Sequence, residues 1–60
     1  MFIELIDTNE EKVLVSVEKI VTVRQENEDY ITIEFQVGSE SFQGTLKSFQ
    51  RKIDGLVTYE

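Results

Sequence analysis

Tyr30-Ile31-Thr32-Ile33-Glu34-Phe35-Gln36-Val37 decides the fold of this 60-residue chain. Ile31, Ile33, Phe35 and Val37 alternate with Tyr30, Thr32, Glu34 and Gln36, which is the two-residue period of a strand with one face in a core and one in water. Gly38-Ser39 follows, and Gly accepts the positive φ that the first position of a tight hairpin turn demands. A two-residue loop there predicts Phe35 opposite Phe42 and Ile33 opposite Gly44 on the apolar face. On the polar face it predicts Glu34 opposite Gln43 and Thr32 opposite Thr45.

Upstream, Ile3 and Leu5 alternate with Glu4, and Val13 and Val15 alternate with Lys12 and Leu14; the polar run Asp7-Thr8-Asn9-Glu10-Glu11 separates them. This pattern predicts a second hairpin. A third strand, over about Lys19 to Arg24, is expected to carry Val21 and Val23 inward, with Gln25 to Asp29 turning it back into the strand at Tyr30. Strict alternation pushes Ile20 outward and Lys19 inward, so a bulge or bend is expected near Ile20.

Downstream of Thr45 the period changes. Leu46, Phe49, Ile53 and Leu56 are spaced three, four and three residues apart and stack on one helical stripe, while Lys47, Gln50, Arg51 and Asp54 face away. Thr45 is the expected N-cap and Gly55 the expected stop. Val57 to Glu60 alternates again, as a short terminal strand or a tail. The fold class is therefore α+β: a small antiparallel sheet of four or five strands in hairpins, with one C-terminal amphipathic helix packed on one face, in a single domain over residues 1–60. One helix covers one face. Phe2, Ile6 and Leu14 then fall on the uncovered side, joined by Ile20 if it stays outward, and form a candidate interface.

Composition narrows the function classes. The chain has no His, Cys, Trp or Pro, so it offers no soft-metal ligand set, no thiolate nucleophile and no imidazole to shuttle protons near neutral pH. No Ser lies in a Gly-x-Ser-x-Gly pattern, and a chain this short has little cleft in which to shield a carboxylate pair. No enzymatic activity, cofactor or metal is expected. A domain of about 60 residues hides only roughly 60% of the surface its unfolded chain exposes, so self-association or a partner is the expected source of further stability.

The formal net charge is −6. Residues 1–40 hold ten acidic and three basic side chains, and residues 41–60 two acidic and three basic. An acidic body argues against nucleic acid as a partner, because affinity for it rests on Lys and Arg neutralising phosphates. The opening Met1-Phe2-Ile3-Glu4-Leu5-Ile6 carries no basic region and no long apolar run, so a cytoplasmic location and no membrane partner are expected.

Four groups of residues are candidate sites. Gln25-Glu26-Asn27-Glu28-Asp29 crowds three carboxylates, but it lacks the alternating Asp/Asn spacing and the Gly of a calcium loop and reads as a solvated turn. Asp7, Glu10 and Glu11 read the same way. Lys47 and Arg51, four apart on the outer face of the helix with Lys52 beside them, could grip a phosphate or an acidic partner, against the plainer reading of cations near a helix C-terminus. Arg24 and Tyr30 become cross-strand neighbours if the third hairpin is centred on Asn27, and stacking there would make a rigid contact patch.

From Lys12 to Leu56, the succession Lys12-Val13-Leu14-Val15-Ser16-Val17-Glu18-Lys19-Ile20-Val21-Thr22-Val23, then Asp29-Tyr30-Ile31-Thr32-Ile33, then Gly44-Thr45-Leu46-Lys47 and Ile53, resembles the first part of a LytTR-type DNA-binding domain. The resemblance implies a regulator linked to nucleic acid. The later strand and the basic residues with which such domains approach DNA have no counterpart here. The chain is also similar to small FlbD-like flagellar proteins in its short length and its order of two strands, an Ile-x-x-Ile step, a polar turn, a strand and a final helix. Those proteins carry an Asn-Gly turn where this chain has Asn9-Glu10, and a Pro-Asp-Thr stretch that it lacks.

Three functions are compatible with these residues. The first is a small acidic regulator or inhibitor of a protein partner, of the kind encoded by phages and mobile elements, with the uncovered sheet face and acidic loops meeting a basic surface. The second is a homo-oligomer that holds a small, phosphate-bearing ligand where Arg24, Tyr30, Lys47 and Arg51 converge between subunits. The third is the LytTR-like or FlbD-like regulator. The contact residues expected are Phe2, Ile6, Leu14, Arg24, Tyr30, Lys47 and Arg51.

Overall fold

The computed structural model describes residues 1–56. The ending expected for Val57 to Glu60 lies outside them. Five strands and one helix follow in order: β1 (Phe2–Ile6), β2 (Lys12–Ser16), a single 3-10 turn over Val17–Lys19, β3 (Ile20–Gln25), β4 (Tyr30–Phe35), β5 (Ser39–Gln43) and α1 (Leu46–Leu56). All pairings are antiparallel, as the α+β reading requires.

The strands do not make one sheet. β1 and β2 form one, and β3, β4 and β5 form another in the order β3-β4-β5. Among the described residues a single bridge, Asp7 to Phe42, joins them, reinforced by the Gln43 side-chain amide donating to the Asp7 carbonyl at 3.0 Å. The reason is coverage. A flat five-stranded sheet would need an 11-residue helix to cover its whole apolar face, whereas two small sheets shield each other. Ile3, Leu5 and Val15 of the first sheet pack with Ile31, Ile33 and Phe42 of the second, and Phe49 of α1 closes the cluster.

The first hairpin has the expected alternation. Ile3 faces Val15 and Leu5 faces Val13 inside, while Glu4 faces Leu14 outside. Asp7 builds the loop by accepting at its Oδ1 from the amides of Asn9 (2.8 Å) and Glu11 (3.0 Å).

In the hairpin after β4 the register differs from the expected one by four residues. Phe42 lies opposite Ile31 instead of Phe35, Ser41 opposite Thr32, Glu40 opposite Ile33 and Ser39 opposite Glu34. Gly38, at φ 83°, ends the turn instead of starting it, and the Phe35 amide donates to its carbonyl at 2.9 Å. The shift is even, so every side chain keeps its face. It places two fully buried side chains, Ile31 and Phe42, against each other and lets the Thr32 and Ser41 hydroxyls hydrogen-bond at 3.3 Å. Val37, expected in the core, sits in the turn at 93% exposure.

The bulge expected near Ile20 is present as a register shift between Ile20 and Thr22. It exchanges two neighbours relative to the simple reading. Ile20 lies opposite Phe35 and is half-buried against the core, whereas Val21, expected inward, is exposed. The loop from β3 to β4 is centred one residue later than Asn27, because the Asn27 Oδ1 accepts from the amides of both Asp29 (2.8 Å) and Tyr30 (3.0 Å). Arg24 therefore pairs with Thr32, not with Tyr30.

Thr45 caps α1 as expected, its hydroxyl accepting from the Ser48 amide at 3.1 Å. Phe49 is buried and Ile53 half-buried, while Lys47, Gln50, Arg51 and Asp54 are exposed. Two details differ. Leu46 remains 40% exposed, and the helix runs through Gly55 to Leu56 instead of stopping at the glycine.

Candidate functional site

The outer face of β1 and β2 carries an apolar patch. Its six positions pair as Phe2 with Ser16, Glu4 with Leu14 and Ile6 with Lys12. Phe2 and Ile6 are thus the diagonal neighbours of Leu14, a separation that side chains of this length span. Phe2 is 61% exposed, Leu14 68% and Ile6 36%. The three contact residues expected on the uncovered face are therefore gathered there. Ile20 is not among them.

A cleft of about 370 Å³ runs along β2 on the side away from β1, lined by Leu14, Ser16, Phe35 and Val37 with Lys19 and Glu40 among its polar residues. Periodicity could not have found it. Its far wall is the β4–β5 turn, and the position of that turn depends on the register that places Val37 outside the strand.

The remaining candidates are dispersed. Tyr30 lines a shallow hollow with Thr8, Glu10 and Asp29, whereas Arg51 and Lys52 flank a different one beside Phe2 and Glu4. Arg24 is exposed on β3 opposite Thr32, and Lys47 is exposed on the first turn of α1. Among the described residues, then, Tyr30 and Arg51 line different hollows. Among the described residues no group of three or more acidic side chains is placed to hold a metal ion, and no helix is long and apolar enough to cross a membrane.

The 3-10 turn brings Glu18 back to the start of the chain. Both its carboxylate oxygens accept from the Met1 ammonium at 2.9 Å, and Ser16 Oγ donates to it at 3.4 Å. Hydrogen bonding from the ammonium, followed by the backbone amide of Glu18 itself, holds this carboxyl below its ordinary pKa of 4.5. The charge of Glu18, next to the end of β2, is thus matched.

Comparison with protein-family models, with curated proteins and with solved structures finds no match to this chain.

Proposed function

We propose that this is a small, acidic, non-enzymatic binding protein of the cytoplasm that regulates or inhibits a protein partner, of the kind phages and mobile elements encode. The observation that carries the reading is the Phe2, Ile6, Leu14 patch, three large apolar side chains held together on the outside of a two-stranded sheet. A net charge of −6 would steer a basic partner toward it.

Co-purification from the source cells, with wild type and the double variant Phe2→Gln/Leu14→Gln in parallel, tests this reading. Both residues are exposed, so the variant should melt within a few degrees of wild type while losing a partner that wild type holds at stoichiometric ratio. The triple variant Lys47→Gln/Arg51→Gln/Lys52→Gln should retain it. Duplex DNA bound more tightly than about micromolar at physiological salt, and lost in the triple variant, would replace this reading with the LytTR-like one.

A further inference from the structure

Among the described residues, β2 pairs with β1 and with no other strand. The bonds from Asp7 N–H to the Glu11 carbonyl and from Val17 N–H to the Met1 carbonyl, both 2.9 Å, set the phase of that ladder. Odd-numbered residues of β2 bond to β1, so Lys12, Leu14 and Ser16 aim their backbone N–H and C=O groups into the cleft side. Edges of this kind are normally protected by several charges, a Pro or a covering segment. This one has a single charge, Lys12, and an exposed Leu14 at its centre, with Phe35 and Val37 across the cleft.

We infer that the β2 edge pairs antiparallel with the β2 edge of a second copy of this chain, about a two-fold axis passing through Leu14. Centring on Leu14 is the register that pairs all five residues from Lys12 to Ser16. Lys12 then lies opposite Ser16 of the second copy, Val13 opposite Val15, and Leu14 opposite its own equivalent. Only even-numbered residues exchange hydrogen bonds in this register, and those are the residues whose backbone groups point outward.

A second copy fits this edge without a like-charge clash along the seam, although the net charge of each copy opposes its approach. The strand contains no acid, its one cation meets a neutral hydroxyl, and the nearby Glu18 is already matched by the Met1 ammonium. Six of the twelve acidic groups lie in the loops, at Asp7, Glu10 and Glu11 and at Glu26, Glu28 and Asp29, and Glu40 stands with Lys19 in the lining of the cleft. Registers that slide toward the chain start would set Lys12 near its own equivalent or bring Ser16 against Glu10. The resulting four-stranded sheet, β1-β2-β2-β1, would join the Phe2 and Leu14 side chains of both copies in one apolar stripe, which satisfies an isologous interface.

The absence of Cys makes the test direct. Residues directly opposite in a hydrogen-bonded antiparallel pair have Cα atoms about 5.5 Å apart, within disulfide reach. Leu14→Cys should therefore oxidise to a covalent dimer much faster than Glu4→Cys, which lies on the same outer face one strand further from the axis. Sedimentation should show a dimer for wild type, weakened at least about tenfold in Leu14→Lys, where two like charges meet on the axis. Ser16→Lys should weaken it as well, and Ser16→Lys/Lys12→Glu should restore it. Raising salt should tighten the dimer, since each copy carries −6 and the Debye length falls from about 30 Å at 0.01 M to about 8 Å at 0.15 M.

Folding of each variant is checked by its melting curve. A 7.0 kDa species at about 100 µM in both low and high salt, with equal oxidation of the two cysteine variants, overturns the proposal. So does a dimer that Leu14→Lys leaves unchanged, or an unlike strand that occupies the edge and binds more weakly as salt rises.

Discussion

Gln25 ties three segments together with one side chain. Its Nε2 donates to the carbonyls of Asn27 (2.6 Å), Tyr30 (3.0 Å) and Gly44 (3.4 Å), and its Oε1 accepts from the Leu46 amide at 2.8 Å. The last bond satisfies one of the four unpaired N–H groups at the start of α1. Gln25→Ala should cost about 1 to 3 kcal/mol in urea unfolding, as expected for a cap together with several backbone contacts. Gln25→Glu should cost no less, because a carboxylate would face three carbonyl oxygens; a loss under about 0.5 kcal/mol in both would show the contacts to be incidental. Glu10 sits at φ 65°, a left-handed conformation that disfavours a side chain. Glu10→Gly should stabilise the protein by up to about 1 kcal/mol, and loss of stability would count against strain there. Glu18 supplies a pH dependence. Its folded pKa is depressed, so its contribution is present above the unfolded value and disappears as pH falls through the lower folded value; the window opens below 4.5. Carboxyl NMR titration should place Glu18 below the same residue in an unstructured peptide, and lengthening the chain ahead of Met1 should reduce the difference, leaving the part due to the backbone amide.

Among the elements, α1 is held to the core by Phe49, with Ile53 packed against the same cluster. Phe49 is 9% exposed and belongs to the core that joins both sheets. Phe49→Ala should cost about 3 to 5 kcal/mol, which leaves a domain this small largely unfolded by circular dichroism. Gly55 lies inside the helix with nothing within 4 Å of where a Cβ would stand, so Gly55→Ala should add up to about 1 kcal/mol. The first hairpin was legible because alternation on both sides brackets an unmistakably polar loop, and α1 because Phe49 and Ile53 recur at helical spacing. The register between β4 and β5 was not. Starting or ending the turn at Gly38 moves the pairing by four residues, and an even shift leaves every residue on the same face, so periodicity cannot distinguish them. The bulge at Ile20 was legible as a break in alternation, but which of Ile20 and Val21 turns inward is settled by packing against Phe35. The same limits apply to the candidate site. Phe2, Ile6 and Leu14 could be read as outward from alternation alone, whereas the cleft between Leu14 and Val37 exists only once the turn is placed.

For the whole molecule, the arrangement of the sheets predicts where protection from solvent is greatest. β4 is paired on both sides, and Ile31 and Ile33 are essentially without exposure. Their amides should exchange most slowly with deuterated water, while those of Lys12, Leu14 and Ser16 should exchange rapidly in dilute protein. Fast exchange at Ile33 would contradict the central position of β4.

The bridge between Asp7 and Phe42 also has a consequence for the order in which the chain folds. β3, β4 and β5 are joined by short turns, but the Gln43–Asp7 contact closes a loop whose ends are 36 residues apart. Closing a loop of that length costs more entropy than closing a turn, so the three-stranded unit should assemble before β1 and β2 dock on it. Conservative truncations should then divide in stopped-flow measurements. Ile33→Val in β4 should mainly slow refolding, and Val15→Ala in β2 should mainly hasten unfolding.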